Sequence, residues 1–481
     1  MEEEILYIKE YEILERSGEE NKIVIWGDIP YWLYVNDIFV RLLGLINGRT
    51  RRELLKIVHS EISNNVSIED IDSVLDTLRK ADVLKNINCD EDEKGDIRGC
   101  VLQYITLNIT DTCNLFCKHC YIDAGQTKRT FLNLEKAIYI VNKLKQIAID
   151  SCNIIVSGGE ATLNSECLEI LEYISNNTCW TITLVTNGTM ITDSLASSLS
   201  KIRHLSVQVS LDGATSDVHD EIRGKGNYEK TIKGIKKLTD YGNTVYLSPI
   251  VTEKLYGELD DFFELAKDLK AKAVFLQPIN NVGRAKYNKM IRVDDSKVFL
   301  KVLDIYRKDY DLIHMVKGTL EAKYLSNIKV LDKCDYCGTG SSTLAIQPNG
   351  DLYPCPNLID GRMRIGNIFR DDIFELWMNS DILEGLRRLN VDKNLDEKCK
   401  KCCVKHFCGG GCRGIAFQNT GDIHACSGTC EYEKKQRIEM LWALVKDDKL
   451  FAGEINRHLE ISEKKEAEIC SKIMELKRRP A

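Results

Sequence analysis

Three thiols fall within eight residues, Cys113, Cys117 and Cys120, spaced C-x3-C-x2-C. A loop of this kind can wrap three thiolates around one soft metal centre, and soft thiolate sites take zinc, copper(I) or iron–sulfur clusters. A cluster ordinarily takes four cysteines, so three leave one iron open to a substrate or cofactor. A structural zinc site wants a fourth ligand close by. His119, between Lys118 and Cys120, is badly placed to fold back onto the same ion. A second thiol-rich region holds Cys334-x2-Cys337, then Cys355, then Cys399-x2-Cys402-x5-Cys408-x3-Cys412-x17-Cys430. These eight cysteines make two sets of four. The spacings alone suit two zinc ribbons as well as two clusters; beside an open three-thiol loop, iron–sulfur is the stronger reading.

The elements that must position these thiols follow from the pattern around them. Strand-like runs at Tyr104–Ile109, Asn153–Val156, Thr181–Val185, Leu205–Ser210, Val245–Ile250 and Ala273–Gln277 alternate with amphipathic runs at Leu134–Ile147, Cys167–Ile174, Tyr228–Leu238 and Leu259–Leu269. That alternation predicts an α/β fold of parallel strands with crossover helices, a partial (βα)6 barrel. Active sites in such folds gather at the carboxyl ends of the strands. The polar signals lie there: the Cys113 loop, Ser157-Gly158-Gly159-Glu160, Thr186-Asn187-Gly188 and Ser210-Leu211-Asp212-Gly213. Downstream, an Asn349-Gly350 hairpin is expected to bring Cys355 back toward the Cys334 pair. Gly409-Gly410-Gly411 permits close approach of backbone to a cluster. A helical run with Ile373, Leu376, Trp377, Ile382 and Leu386 lies between the two cysteine groups.

Ahead of the barrel, strands at Tyr11–Glu15, Lys22–Trp26 and Tyr31–Val35 precede three helical patterns. Asn36 leads into the first, a Thr50–Glu53 capping box opens the second, and Ser67 opens the third. A small sheet with three helices predicts a winged helix-turn-helix. Its last helix carries Glu69, Asp70, Asp72, Asp76 and Asp82 against Arg79 and Lys80, the wrong balance for facing phosphates. Capture of an extended peptide by strand addition suits it better. The expected divisions are 1–87 for this domain, 88–99 for an acidic linker, 100–330 for the barrel, 331–432 for the cysteine-rich domain and 433–481 for C-terminal helices. The formal net charge of −7 argues against general affinity for nucleic acid or anionic lipid. No apolar run approaches the ~18 residues of a membrane span. The acidic start, Met1-Glu2-Glu3-Glu4, lacks the features of a signal peptide, so a cytoplasmic chain is expected. Nineteen cysteines in a reducing compartment point to metal rather than disulfides.

Taken together, the Cys113 loop, Gly158-Gly159-Glu160 and Ser210-Leu211-Asp212-Gly213 resemble the radical S-adenosylmethionine (SAM) family. The distal string, with C-x12-G-x4-C from Cys337 to Cys355, resembles its SPASM subfamily. The N-terminal segment is similar to the precursor-recognition domain fused to maturases of ribosomally made peptides, of the sactipeptide and ranthipeptide type. The resemblance implies a [4Fe–4S] cluster on Cys113, Cys117 and Cys120 whose open iron binds SAM, and reductive cleavage of SAM to a 5′-deoxyadenosyl radical. It implies that Glu160 accepts from the methionine ammonium, with Gly158 and Gly159 allowing close approach. Tyr121 is implied near the adenine, Ser210 near the ribose, and Arg223 at the SAM carboxylate. Two auxiliary [4Fe–4S] clusters are implied, one on Cys334, Cys337, Cys355 and Cys412 and the other on Cys399, Cys402, Cys408 and Cys430. Cys403 and Cys426 lie close to these strings without a role. The implied partners are a precursor peptide, whose leader binds the N-terminal domain, and a reductant such as flavodoxin or ferredoxin. The implied activity is cross-linking of that peptide, foremost a thioether between a cysteine sulfur and an acceptor carbon. Carbon–carbon cross-linking or decarboxylation are the alternatives. Sulfatase maturation ranks lower, because those enzymes carry an acidic residue where Pro356 stands here and proline cannot act as a base. A non-enzymatic zinc protein ranks last.

Overall fold

The computed structural model describes residues 5–62, 66–85, 100–125, 130–309, 312, 315 and 334–446. The expected linker at 88–99, Cys89, and the C-terminal stretch from 447 onward (with Cys470) lie outside the described residues.

Six parallel strands form the heart of the molecule in sequential order: Leu102–Thr110, Ala148–Gly158, Thr181–Thr186, Leu205–Val209, Val245–Leu247 and Ala273–Val274. Their register aligns Leu107 with Val156, Val156 with Leu184, and Leu184 with Val207. All four of these side chains are wholly buried. Strands covered on both faces need continuous apolar runs rather than alternation. The crossover helices Leu134–Leu144, Cys167–Asn177, Asn227–Asp240 and Leu259–Asp268 supply the cover. The last two predicted strands are each broken. Val245–Leu247 stops before Pro249, which has no N–H to give the ladder, and the chain resumes as Ile250–Val251 paired with Gln277–Pro278. This short second pair forms a sheet of its own, separate from the nine-stranded one.

On its other edge the sheet does not stop at the barrel. Thr343–Ile346 lies parallel to Leu102–Thr110, with Thr343 opposite Tyr104 and Ile346 opposite Leu107. Asp351–Tyr353 and Gly366–Asn367 follow antiparallel, making nine strands. The barrel's sheet thus continues into the cysteine-rich region, while the expected boundary at 330/331 lies outside the described residues. An uncovered first strand would leave a row of unpaired backbone groups, and the distal hairpin satisfies them. Its turn forms at Asn349-Gly350 as expected, with Gly350 at φ +88°. The predicted helical run resolves into two short helices, Ile373–Asn379 and Asp381–Arg387, and the indole of Trp377 donates to the Cys100 carbonyl at 3.1 Å.

The N-terminal unit contains the three expected strands as an antiparallel meander, Glu12–Leu14, Lys22–Trp26 and Tyr31–Val35. Three helices follow, Asp37–Ile46, Arg51–Glu61 and Ile68–Lys80, with capping boxes at Thr50/Glu53 and Ser67/Asp70. A further strand, Ile5–Ile8, joins Arg49–Thr50 and Leu84–Lys85 and was not expected, because four residues carry too little alternation.

The central strand Lys22–Trp26 is buried on both faces. Val24 and Trp26 enter the core under the helices, while Ile23 and Ile25 pack on Cys403, Val404, Phe407, Leu441 and Trp442. Each such buried isoleucine contributes about 1.5–3 kcal/mol. A Cβ on Gly27 would stand 3.1 Å from the Cys403 Cα and 3.3 Å from the Cys402 carbonyl oxygen, so the backbones meet more closely than a side chain comfortably allows. Around this contact Lys405 pairs with Asp28 at 2.5 Å, and Arg16 pairs with Glu439.

The helix Cys430–Lys446 fills the space between units. Leu441 and Trp442 face the N-terminal sheet, and Met440 and Ala443 face Phe299 and Leu303 on helix Asp295–Lys308. It begins three residues before the expected boundary at 433, and its neighbours include the barrel and the N-terminal unit as well as the cysteine-rich region. No helix among the described residues is long and apolar enough to cross a membrane.

Candidate active site

One cavity of ≈350 Å³ at the carboxyl ends of the strands collects residues from eight separate segments. Cys113, Cys117, Cys120, Tyr121, Gly158, Gly159, Glu160, Ser210 and Arg223, all singled out in the sequence, line it. Cys113 and Cys117 are buried, and Leu115, Ile122 and Ala124 pack beneath the loop. Burial pushes the Cys113 thiol up to about 11, and pushes Cys117 up as well, against the opposing charge of Arg223. Three thiols turn into one cavity, and Cys113 and Cys117, which resist ionisation, give up their protons readily only to a cation placed among them. That donor set fits an iron–sulfur cluster.

Glu160 is almost wholly buried. Its Oε1 accepts from Thr162 Oγ1 at 2.7 Å, Thr162 N at 3.2 Å and Thr186 Oγ1 at 2.6 Å, and its Oε2 accepts from Asn187 N at 2.7 Å. No ion pair among the described residues includes it. A buried carboxylate normally has a cationic partner; this one has neutral donors and an open cavity beside it, which suits the ammonium of an amino-acid moiety. The two glycines before it have a different local reason from the one the sequence suggested. A Cβ at Gly158 would strike the Thr110 carbonyl oxygen, and one at Gly159 the Thr112 carbonyl oxygen. The glycines let Gly159 N donate to Thr110 O (2.9 Å) and Glu160 N to Thr112 O (2.8 Å), which pulls the carboxylate tight against the thiol loop.

Arg223 sits between the loop and a buried aspartate. Its Nε donates to Asp212 Oδ2 at 2.6 Å and its Nη1 lies 3.8 Å from Cys117 Sγ. Asp212, with no exposed surface, also accepts from His119 Nε2 at 2.8 Å and from Ile250 N at 2.9 Å. Burial alone would raise the Asp212 carboxyl, but the charges of Arg223 and then His119 hold it well below the usual range. His119 thus faces a carboxylate. Ser210 donates its backbone N–H to Thr186 O at 3.0 Å, which fixes its place on the cavity wall. Tyr121 keeps 42 % of its surface exposed, yet its phenol is enclosed: burial, then the Cys120 and Cys355 charges, push it up to about 12. The ring therefore stands within electrostatic reach of both thiol regions.

A second cavity of ≈310 Å³ shares Gln277, Pro278, Asn280 and Asn357 with the first and is lined by Cys334, Cys337, Cys408 and Cys412. Cys355, pushed up to about 12 by burial, feels Cys412 and then Cys337. Asn357 Nδ2 donates to Cys412 Sγ at 3.5 Å. The structure thus brings together the four cysteines of the first expected auxiliary set. A Cβ on Gly409 would come within 2.8 Å of Cys334 Sγ, so the glycine run does allow the close approach expected of it.

The second set is more crowded. Burial and then Cys426 raise Cys399 to about 11, and burial and then Cys426 raise Cys430 to about 12. The neighbouring thiols of Cys402 and Cys403 act on each other, which holds Cys402 down and Cys403 up. Cys408, raised by burial, donates to Glu433 Oε2 at 3.4 Å and feels Cys402 more weakly. Cys399, Cys402 and Cys430 therefore cluster with Cys426 and Cys403 beside them, and Cys408 stands between this group and the second cavity. Wholly buried His406 lies 3.3 Å from Asp335 and 3.2 Å from Asp392, tying the two cysteine strings together.

Several site residues were not singled out. Asp212 lay in a quoted motif without a role. Asn187 Nδ2 donates to Asn114 Oδ1 at 2.8 Å and so joins the third strand end to the thiol loop. Arg284 reaches the loop from far along the chain, and no local pattern marks it.

Comparison with known proteins places these features. Residues 107–266 match the Radical SAM superfamily, and residues 337–403 match SPASM, an iron–sulfur cluster-binding domain. The mycofactocin maturase MftC of Mycolicibacterium smegmatis is 27% identical over 333 residues, covering 65% of this chain and 78% of the relative. The antilisterial bacteriocin subtilosin biosynthesis protein AlbA of Bacillus subtilis is 28% identical over 354 residues, covering 71% and 73%. Streptococcus suis SuiB bound to precursor peptide SuiA shares the fold, with a TM-score of 0.55 over 89% of this chain and 100% of that one at 18% identity.

Proposed function

Because this chain belongs to the radical SAM superfamily, carries a SPASM iron–sulfur domain and is homologous to peptide-modifying maturases, we propose that it cross-links a ribosomally made precursor peptide by forming a thioether. The observation that carries this reading is the pair of thiol-lined cavities with a common wall, one of which holds a buried carboxylate without a cation.

When bound, the cluster and SAM supply a 5′-deoxyadenosyl radical. Cys113, Cys117 and Cys120 hold the cluster through three thiolates. Glu160 holds the SAM ammonium through Oε2, which has the single donor Asn187 N and spare acceptor capacity. Tyr121 and Ser210 bound the nucleoside side of the cavity, and Arg223 offers its charge to the SAM carboxylate while Asp212 fixes its orientation. The core peptide enters where Gln277, Pro278, Asn280 and Asn357 line both cavities, so its reacting residue lies between the Cys113 loop and the thiols of Cys334, Cys337, Cys355 and Cys412. Cys399, Cys402, Cys408 and Cys430 hold the third cluster. The N-terminal unit is read as a winged helix that adds the leader as an extended strand, and flavodoxin or ferredoxin delivers the electron.

Anaerobic iron and sulfide analysis tests the cofactor assignment: three [4Fe–4S] clusters give about twelve irons per chain. Co-expression with a short cysteine-containing peptide encoded beside the gene tests the reaction. A thioether gives loss of two hydrogens per link and one fewer alkylatable thiol. Loss of two hydrogens with every thiol still alkylatable would mean a carbon–carbon link, and zinc without sulfide would end the radical reading.

A further inference from the structure

The thiol loop is irregular, and its backbone carbonyls need partners as any buried backbone group does. They find them on one segment far along the chain. Arg284 Nε donates to Cys117 O at 2.8 Å, and its Nη1 donates to Ala124 O at 2.7 Å and to Asp123 Oδ1 at 2.8 Å. The Arg284 backbone N–H donates to Cys120 O at 2.9 Å, and Asn288 Nδ2 donates to Lys118 O at 2.7 Å. One short stretch therefore holds the carbonyls of Cys117, Lys118, Cys120 and Ala124. The approach is close enough to require Gly283, at φ +53°, where a Cβ would run into the Cys120 and Tyr121 carbonyl oxygens. Arg284 itself is 5 % exposed, its guanidinium lies 3.9 Å from the centre of the Phe116 ring, and it lines the first cavity.

This geometry carries an electrostatic consequence. Two buried guanidinium groups touch Cys117, Arg284 through Nε on its carbonyl oxygen at 2.8 Å and Arg223 with Nη1 3.8 Å from its sulfur. Arginine keeps its charge under all working conditions. Adding an electron to a cluster held on Cys113, Cys117 and Cys120 makes the site more negative, so a fixed cation beside a ligand sulfur favours the reduced form, as net charge and hydrogen bonding do in cluster proteins generally. We propose that Arg284 is a positioning residue of the radical-generating site. Its forked donors set the shape of the loop that presents Cys117 and Cys120, and its charge raises the reduction potential of the cluster. This rests on the reading that the three thiols hold an iron–sulfur cluster.

The test uses the full-length reconstituted protein and two variants, Arg284→Met, which removes charge and fork, and Arg284→Lys, which keeps only the charge. Electron paramagnetic resonance during a redox titration reports the cluster whose reduced signal changes on adding SAM. Iron release to a chelator is followed in parallel. At the potential where half of the wild-type signal is reduced, Arg284→Met is expected to show about a tenfold lower ratio of reduced to oxidised cluster, equivalent to 59 mV for one electron. Arg284→Lys is expected to return that ratio to within about twofold of wild type. Both variants are expected to release iron from this cluster at least about threefold faster. If Arg284→Met retains the distal iron but not the SAM-sensitive cluster, the positioning role is supported and Arg284→Lys supplies the potential. Unchanged ratio and unchanged iron release in Arg284→Met overturn the proposal, as does equal loss of iron from every site in both variants, which would make Arg284 a general folding residue. A wild-type protein with no SAM-sensitive signal would defeat the functional reading itself, before any variant is made.

Discussion

Replacing Asp212 by Asn probes how firmly the loop is anchored from the barrel side. Asp212 has no exposed surface and binds Arg223 at 2.6 Å, His119 at 2.8 Å and the Ile250 amide at 2.9 Å. Asparagine has the same size and keeps one carbonyl acceptor, but it leaves the buried Arg223 guanidinium without a carboxylate. Removing one partner of a buried ion pair costs about 3–5 kcal/mol, and the retained acceptor puts this case near the low end, about 3 kcal/mol. At 1.36 kcal/mol per factor of ten, local opening should become about a hundredfold more frequent. Hydrogen exchange at the Ile250 amide and along Leu205–Val209, measured anaerobically at pH 7, reads that opening directly. The pH dependence has a definite sign. The folded carboxyl is held below its unfolded value of about 3.9, so its contribution is fully present above that value and lost as pH falls through the folded pKa. From the Asp212 titration, the gap between wild type and variant should be level from pH 8 to pH 5. An exchange increase below about threefold, or a gap that closes between pH 8 and pH 5, would refute the reasoning.

Glu160→Gln removes the buried negative charge while keeping acceptor capacity on one oxygen; SAM affinity by equilibrium dialysis should fall at least about tenfold, since a charge-assisted bond contributes about 1.5–3 kcal/mol. Gly283→Ala places a methyl against the Cys120 and Tyr121 carbonyls at a positive φ; strain of about 1–3 kcal/mol should appear as lower iron content per chain, with the N-terminal unit's circular dichroism unchanged. Gly27→Leu forces the meander off the Cys402–Cys403 backbone; the first ~85 residues should then be cut by protease markedly faster than in wild type, and an unchanged rate would mean that the contact contributes nothing.

What could be read in the sequence was what repeats or clusters locally. The Cys113 loop, the Glu160 turn and the Ser210 turn each sit at the end of an apolar run, and the parallel-sheet rule then places them in one cavity. The capping boxes at Thr50 and Ser67 fixed two helix starts because their side-chain bonds span only three residues. What could not be read depends on contacts between distant segments. Arg284 reaches Cys117 across 167 positions, and the residues around it look like any surface turn. The distal hairpin extends the barrel sheet because Leu102–Thr110 has a free edge, a fact about topology rather than about residues 343–353. The fifth strand breaks at Pro249, a proline that the alternation rule passed over, and the sixth breaks opposite it, after Val274. Spacing shows Cys403 beside Cys402 and Cys426 near Cys430, but it orders thiols along the chain and cannot count them around a point.

The contact of Gly27 with Cys402 and Cys403 has a thermodynamic meaning. Two sites that share a rigid backbone contact influence each other's occupancy by the same factor in both directions. Filling the thiol site that includes Cys402 stiffens the surface on which Lys22–Trp26 rests, and a ligand ordering that strand must in turn favour the filled site. A peptide bound by the N-terminal unit should therefore hold more tightly to protein loaded with iron than to protein stripped of it. Affinities measured on metal-free preparations would then understate any such binding, and the cell could not assemble the N-terminal unit and this thiol site as independent parts.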